Sequence, residues 1–321
     1  MAMASSSSQD EAAGHHETQT QVGDLPEVCL AQVIALTSPR DAARCAAVSP
    51  AFRAAADSDD VWRRFLPPPA AAGYYYNPQK ASNKDTYLRL CDAAGAVALA
   101  GGGCRMWLEK ATGARCYALP AKALSLPWDD GEFSWRFTPH PLSRFAEVAE
   151  LVDCTSLDIY AHLPAAAALT PATTYAAYLV YGTAEEGGHR GLSYPDQETA
   201  VAVGGRVVAR HAVCLVPDDA EALKFRAVAA AAGAEEAPAP PRRRRVREDG
   251  WWEMEMGRLC TAAGDGESSP ESEEVTASFE VLGWYPKRGL VVEAVEFRPA
   301  AGAHPLVTTT EHFSSTPSSI D

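Results

Sequence analysis

Residues able to do covalent chemistry are present in this 321-residue chain but are not arranged for it. Of the eight histidines, His15 and His16 lie in a polar start, His140 sits between two prolines, and His189 follows glycines, none beside a nucleophile motif. No Gly-x-Ser-x-Gly, phosphate loop or His-Glu-x-x-His sequence occurs. Glu185-Glu186 and Glu273-Glu274 are paired carboxylates of the kind glycoside hydrolysis uses, but adjacent strand residues point to opposite faces. The cysteines at 29, 45, 91, 104, 116, 154, 214 and 260 show neither metal-ligand spacing nor a dense disulfide framework, and are expected to be reduced small hydrophobes. No catalytic residue, metal or cofactor is therefore expected. What remains is aromatic. Trp128 stands between Pro127 and Asp129-Asp130 in a loop-like setting that does not demand burial, whereas Trp252 is in phase with Met254 and Met256 and is predicted core.

The elements that must position these residues are bounded by composition. A net charge of -14 argues against the basic surface that nucleic acid requires. No apolar run approaches the roughly 20 residues needed to cross a bilayer, and the first residues lack the basic and apolar regions of a secretory signal. A soluble protein of the cytoplasm and nucleus, with no nucleic-acid or membrane partner, is expected.

Five regions follow from the chain itself. Residues 1–22, rich in Ser, Gln and Thr, cannot bury enough to offset ordering. Residues 23–67 read as a small helical module. Leu25-Pro26-Glu27 opens one helix with Val28, Val33, Ile34 and Leu36 as an apolar stripe. Ser38-Pro39 with Asp41, and then Ser49-Pro50, repeat the start signal, and Trp62, Phe65 and Leu66 share a last helical face. Three short helices are expected. Pro67-Pro-Pro69 begins a linker and connecting segment over 68–103. After that segment the period falls to two: Trp252 to Met256, Leu157 to Leu163, Thr174 to Tyr181, Val275 to Val281 and Leu290 to Phe297 read as strands, with hairpins at Thr112-Gly113 and Gly204-Gly205. Many short strands without intervening helices predict an antiparallel β-sandwich. A surface insertion at about 218–248 carries Arg242-Arg-Arg-Arg245, read as a solvated loop with a nuclear-import signal as the alternative. Residues 300–321 are expected to be a flexible tail.

The order Leu25-Pro26, Ser38-Pro39-Arg40-Asp41, Val48-Ser49, Phe52-Arg53, Val61-Trp62 and Phe65-Leu66-Pro67 resembles the F-box. The resemblance implies docking on a Skp-type adaptor of a cullin-based ubiquitin ligase through Leu25, Pro26, Val33, Ile34 and Val48. The alternative is a helical bundle whose apolar residues serve only its own core. The second region resembles the phloem protein 2 family, with its Nictaba-type lectins, over residues 104–299 on five ordered landmarks: 145–151, Leu157-Asp-Ile-Tyr160, 169–180, 249–257 and 287–299. It implies an all-β, jelly-roll-like lectin domain behind the all-α F-box, and an adaptor that delivers its target to ubiquitylation.

By the same resemblance Trp128 and Trp135 are the carbohydrate-binding tryptophans, Glu273 or Glu274 is an acidic contact, and the ligand is an N-acetylglucosamine oligomer or N-glycan core; Asp129 and Asp130, beside Trp128 in a polar turn, offer further acceptors. The chemistry is sound, because an indole covers the apolar face of a pyranose while carboxylates accept from its hydroxyls. The sequence departs from the family at Ser134, Phe137 and Ser156, each standing where an aromatic or a bulkier residue is usual. A domain that keeps the fold and takes protein targets without sugar is the competing expectation.

Overall fold

The computed structural model describes residues 22, 25–67, 81–92, 96–99, 103–126, 134–163, 169–184, 188–193, 197–217, 244–262 and 274–300. Four short helices, not three, fill the N-terminal module: α1 Glu27–Ala35, α2 Pro39–Cys45, α3 Pro50–Ala56 and α4 Asp59–Phe65. The caps are those expected from sequence. Ser38 Oγ accepts the Asp41 N–H at 3.1 Å, Ser49 Oγ accepts that of Phe52 at 3.2 Å, and a proline follows each. The extra break falls at Asp57-Ser58, where α3 ends and the Trp62 Nε1–H of α4 donates to Ala56 O at 2.7 Å.

The segment read as linker contains α5, Asn83–Leu90, capped by Ser82, and β1, Val97–Ala98. Asn83 is pinned to the start of α4: its N–H donates to Asp59 Oδ1 and its Nδ2 to Asp59 O, both at 2.8 Å. Tyr87 then lies against Trp62 and Phe65, with ring centroids at 5.2 and 6.3 Å. Sequence periodicity missed α5 because its buried face holds Asn83 and Thr86 beside Tyr87 and Leu90.

Two antiparallel sheets follow. The strands are β2 Arg105–Leu108, β3 Arg115–Pro120, β4 Trp135–Thr138, β5 Val148–Leu151, β6 Leu157–Leu163, β7 Thr174–Thr183, β8 Gln197–Val203, β9 Arg206–Val213, β10 Arg245–Val246, β11 Trp252–Cys260, β12 Val275–Val281 and β13 Leu290–Pro299. The larger sheet runs β1-β2-β3-β13-β7-β11-β10, with β5 also on β13 and β4 on β5; the smaller runs β6-β12-β8-β9. Both expected hairpins form. Gly204 and Gly205 take φ of 56° and 76°, the left-handed pair that a two-residue turn requires. The sheets meet closely at Gly257, where a Cβ would fall 2.8 Å from Val201 Cγ2, and Thr199 Oγ1 crosses from β8 to donate to Met256 O at 2.7 Å.

The expectation for β11 holds on its inner side, where Met254 and Met256 are buried, but Trp252 is only half-buried and Trp251 is the buried indole. Trp251 packs on the opposite face of the sheet with Val148, Val180 and Val291, and its Nε1–H donates to Leu142 O at 3.1 Å. Both faces of the sheet are covered there, which the two-period pattern could not show. Arg244 is not solvated loop charge either: its guanidinium lies 3.4 Å over the Trp252 ring.

Helices and sheets share one core. The β2–β3 turn is held by Glu109 Oε2, which accepts from Ala111 N at 3.1 Å and Thr112 N at 2.7 Å. It docks on the helices: Arg40 N donates to Ala111 O at 3.2 Å, and the Tyr87 hydroxyl donates to Lys110 O at 3.1 Å and Glu109 O at 3.3 Å. Gly113, at φ 76°, would place a Cβ 3.3 Å from Pro39 Cγ.

Candidate functional sites

The residues expected to touch an adaptor divide into two groups. Leu30, Ala31 and Ile34 form the inward face of α1, and Ile34 is 2% exposed, so it belongs to the module's own core and is corrected out of the docking set. Leu25, Pro26, Val33 and Val48 are exposed, Val33 at 59%. Val28 and Leu36, which the sequence had placed in the buried stripe, are exposed as well, Leu36 at 75%. The helical wheel explains this. Leu30 and Ile34 are four apart and set the inward direction, which turns Val28 and Leu36 outward to join Val33. Including Leu30 in the stripe would have found the outer face from sequence. The result is an uncovered apolar surface at the start of the chain, the kind of feature that marks an interaction site.

The sugar-site residues are placed less fully. Trp128, Asp129 and Glu273 lie outside the described residues. Trp135 heads β4, paired with Leu151, and is 1% exposed within the main core. A stacking platform must offer a ring face, so in this structure Trp135 serves packing, a correction to the expected pair. The segment leading toward Trp128 is anchored, since Ser125 and Tyr160 exchange backbone hydrogen bonds of 2.8 and 2.9 Å at the edge of β6. Ser134 is buried, and Phe137 lies half-buried under Lys122 Nζ at 5.6 Å. Glu274, next to the expected Glu273, is exposed and sits 2.8 Å from His162 Nδ1.

An ionic cluster lies on the outer side of the larger sheet. Arg144 grips Glu293 with Nη2 at 2.8 Å and Nε at 3.2 Å, and its Nη2 is 2.6 Å from Glu296. Arg247 reaches Glu296 at 3.2 Å and Asp249 at 2.9 Å, and Arg298 reaches Glu253 at 2.6 Å. Burial alone would push Glu296 up; the guanidiniums of Arg144, Arg298 and Arg247 outweigh it and hold the carboxyl below its ordinary value. The cluster fastens the 139–147 segment over β13. Among the described residues no set of His, Cys, Asp and Glu is placed to hold a metal ion, and no helix is long and apolar enough to cross a membrane. The eight cysteines are free.

Known proteins agree with this arrangement of helices before sheets. An F-box-like family model matches residues 22–67, and the phloem protein 2 model matches 114–299. From Arabidopsis thaliana, F-box protein PP2-B10 is 32% identical over 276 residues, 86% of this chain and 93% of the relative. F-box protein SKIP3 is 34% identical over 281 residues, 86% of this chain and 87% of the relative. F-box protein PP2-B15 is 31% identical over 287 residues, covering 86% and 96%. The chain therefore belongs to the phloem protein 2 family and carries an F-box-like domain ahead of it.

Proposed function

We propose that this protein is a non-catalytic substrate-recognition subunit of an SCF-type ubiquitin ligase, acting in the cytoplasm and nucleus. The helical module docks on a Skp-type adaptor, and the β domain, a jelly-roll-like sandwich in this reading, holds the target. One observation carries the reading: Val28, Val33 and Leu36 leave the outer face of α1 apolar and uncovered, and Leu25, Pro26 and Val48 are exposed in the same module. Co-purification with a Skp-type adaptor tests it. Leu25→Ala with Pro26→Ala, or Val33→Asp alone, is expected to abolish the complex while leaving the fold intact. An adaptor complex that survives both changes would count decisively against the docking face.

For the target, the lectin reading assigns Trp128, Asp129 and Glu273 to an N-acetylglucosamine oligomer or N-glycan core. The burial of Trp135 favours the second reading, a domain that takes protein surfaces, because one of two stacking rings is committed to the core. A glycan array with wild type and Trp128→Ala separates them: sugar binding lost in the variant supports the lectin, and no binding by wild type supports the protein reader.

A further inference from the structure

The loop between β12 and β13 presents a tryptophan to solvent. Trp284 is 80% exposed, and Leu282, two residues earlier, is exposed too. An exposed indole on a loose loop would carry little meaning, but this one is held. Tyr285 N donates to Gly283 O at 3.2 Å, an i→i+2 turn with Trp284 at its tip. Beneath it Lys287 is fully buried, and its Nζ donates to the carbonyls on either side of Trp284, Gly283 O at 2.6 Å and Tyr285 O at 2.9 Å, and to Thr155 O at 2.8 Å. The strand continues into paired backbone on both sides: Lys287 exchanges hydrogen bonds with Cys154, and Arg288 with Arg190. Burying an ammonium costs free energy unless its donors are satisfied, and here they are spent on the backbone that carries Trp284. The ring is thus pre-positioned rather than stranded.

The surface on the β12 side of this turn is acidic, whereas exposed Arg288 and Arg190 stand paired on its β13 side. On the outer face of the smaller sheet Asp158, Glu280 and Glu198 stand abreast on β6, β12 and β8. Arg210 pairs with Glu198. Asp158 and Glu280 have no ion pair with any described residue; Glu280 takes only the Tyr160 hydroxyl, at 3.3 Å. Like charges directly opposite on neighbouring strands are destabilising. Partial burial, and then the Glu280 charge, push the Asp158 carboxyl up. An exposed indole and a like-charged carboxylate pair, which the buried Lys287 ammonium offsets only in part at Asp158, therefore occur in one stretch of chain. Glu280 and Trp284 are four residues apart, so their Cα atoms are separated by at most about 14 Å, a span that a few residues of extended chain cover.

We propose that the Trp284 turn and the Asp158–Glu280 pair form a docking site for a basic, arginine- or lysine-containing segment of a partner protein. The indole takes the guanidinium or ammonium face-on and Leu282 its aliphatic stem, while Glu280, Asp158 and Tyr160 supply acceptors for the next cationic side chain. Charge complementarity selects this occupant over a neutral sugar, because a pyranose leaves the carboxylate repulsion unrelieved whereas a cation cancels it. The inference stands whether or not the domain also binds glycans through Trp128.

Fluorescence anisotropy on the full chain tests it, with a short labelled arginine-rich peptide containing a leucine and its glutamate counterpart as probes. Wild type is expected to bind the arginine peptide saturably and not the glutamate one, more weakly as salt rises. Trp284→Ala should weaken binding roughly ten-fold with the melting temperature unchanged, since the ring buries little. Glu280→Gln should weaken it about three-fold or more, whereas Asp60→Asn, which removes an exposed charge in α4, should have no effect. Equal binding by Trp284→Ala and wild type overturns the site. So does an Asp60→Asn loss matching that of Glu280→Gln, which would mean attraction to net charge alone. Displacement of the peptide by N-acetylglucosamine oligomers, lost in Trp284→Ala, overturns it in favour of a sugar platform.

Discussion

Replacing Tyr87 with alanine removes a buried ring that touches both the helices and the sheets. Truncating a buried aromatic of this size costs about 3–5 kcal/mol, and the hydroxyl shared between Glu109 O and Lys110 O accounts for about 1 kcal/mol of it. The loss falls unevenly. The helical module has a small core built on Leu30, Ile34, Ala42, Ala55, Val61 and Trp62, and a unit of that size is marginal on its own. The β domain has its own large interior. Opening of the helices should therefore become easier by roughly a thousand-fold, the equivalent of about 4 kcal/mol, while strands β7 and β13 keep their protection. Hydrogen exchange read by mass spectrometry on the full chain measures this segment by segment. Gly113→Val attacks the same contact from the other side. A Cβ there sits 3.3 Å from Pro39 Cγ, and the left-handed φ of 76° costs a non-glycine residue about 1–2 kcal/mol. The change lies in the β2–β3 turn, yet the lost protection should appear in α1–α4. If Gly113→Val leaves those helices as protected as in wild type, the two parts are not coupled through this turn and the shared core is not a mechanical unit.

Ile34→Ala should lower stability by about 2–4 kcal/mol, seen as an earlier denaturation midpoint, because Ile34 packs inward; Val33→Asp should leave that midpoint nearly unchanged. Lys287→Met fits the volume but strips donors from Thr155, Gly283 and Tyr285, and is expected to cost about 3 kcal/mol and to raise exchange across residues 283–289. For the ionic cluster the sign follows from a depressed carboxyl. Glu296 is held below its ordinary 4.5, so its contribution is complete above that pH and is lost as pH falls through its lower folded value. Denaturation across acidic pH should show this drop in wild type and a shallower one in Glu296→Gln, whose overall stability is already lower.

Much of this was legible in the residues and some of it was not, for identifiable reasons. Ser38-Pro39 and Ser49-Pro50 announce helix starts because capping and N1 proline are local effects, and Gly204-Gly205 announces a hairpin because the turn needs left-handed φ. The alternation of β12 was readable because Val275, Ala277, Phe279 and Val281 are buried on one face while Thr276 and Glu280 on the other stay partly exposed. On β11 it found the Met254–Met256 face but not the cover on the other side, because a two-period pattern presumes one wet face and the 139–147 segment lies over the second, with Trp251 inside. The helix α5 was missed because it is held by Asn83 to Asp59 and by Tyr87 to a distant turn, contacts with no periodic signature. Trp135 and Trp128 looked alike in sequence; only the pairing of β4 with β5 shows that Trp135 is core. Trp284 went unremarked because nothing in its neighbours reveals that Lys287, three residues on, is turned inward to grip the carbonyls around it.

On the proposed function, the stiffness of the joint between helices and sheets matters to how the chain works as an adaptor. A target is modified only if it is held within reach of the rest of the ligase, so a flexible joint between the docking helices and the target-binding domain would spread the target over a large volume and dilute it. Here the joint is closed: α5 is tied to α4 by Asn83 and to the β2–β3 turn by Tyr87, and Arg40 N is bonded to Ala111 O. The outer face of α1 and the Trp284 turn are then fixed with respect to each other through one packed core. On the proposed function, weakening the Tyr87 contact should lower target modification while leaving adaptor binding and target binding, measured separately, intact. A joint acting only in folding would instead reduce all three together.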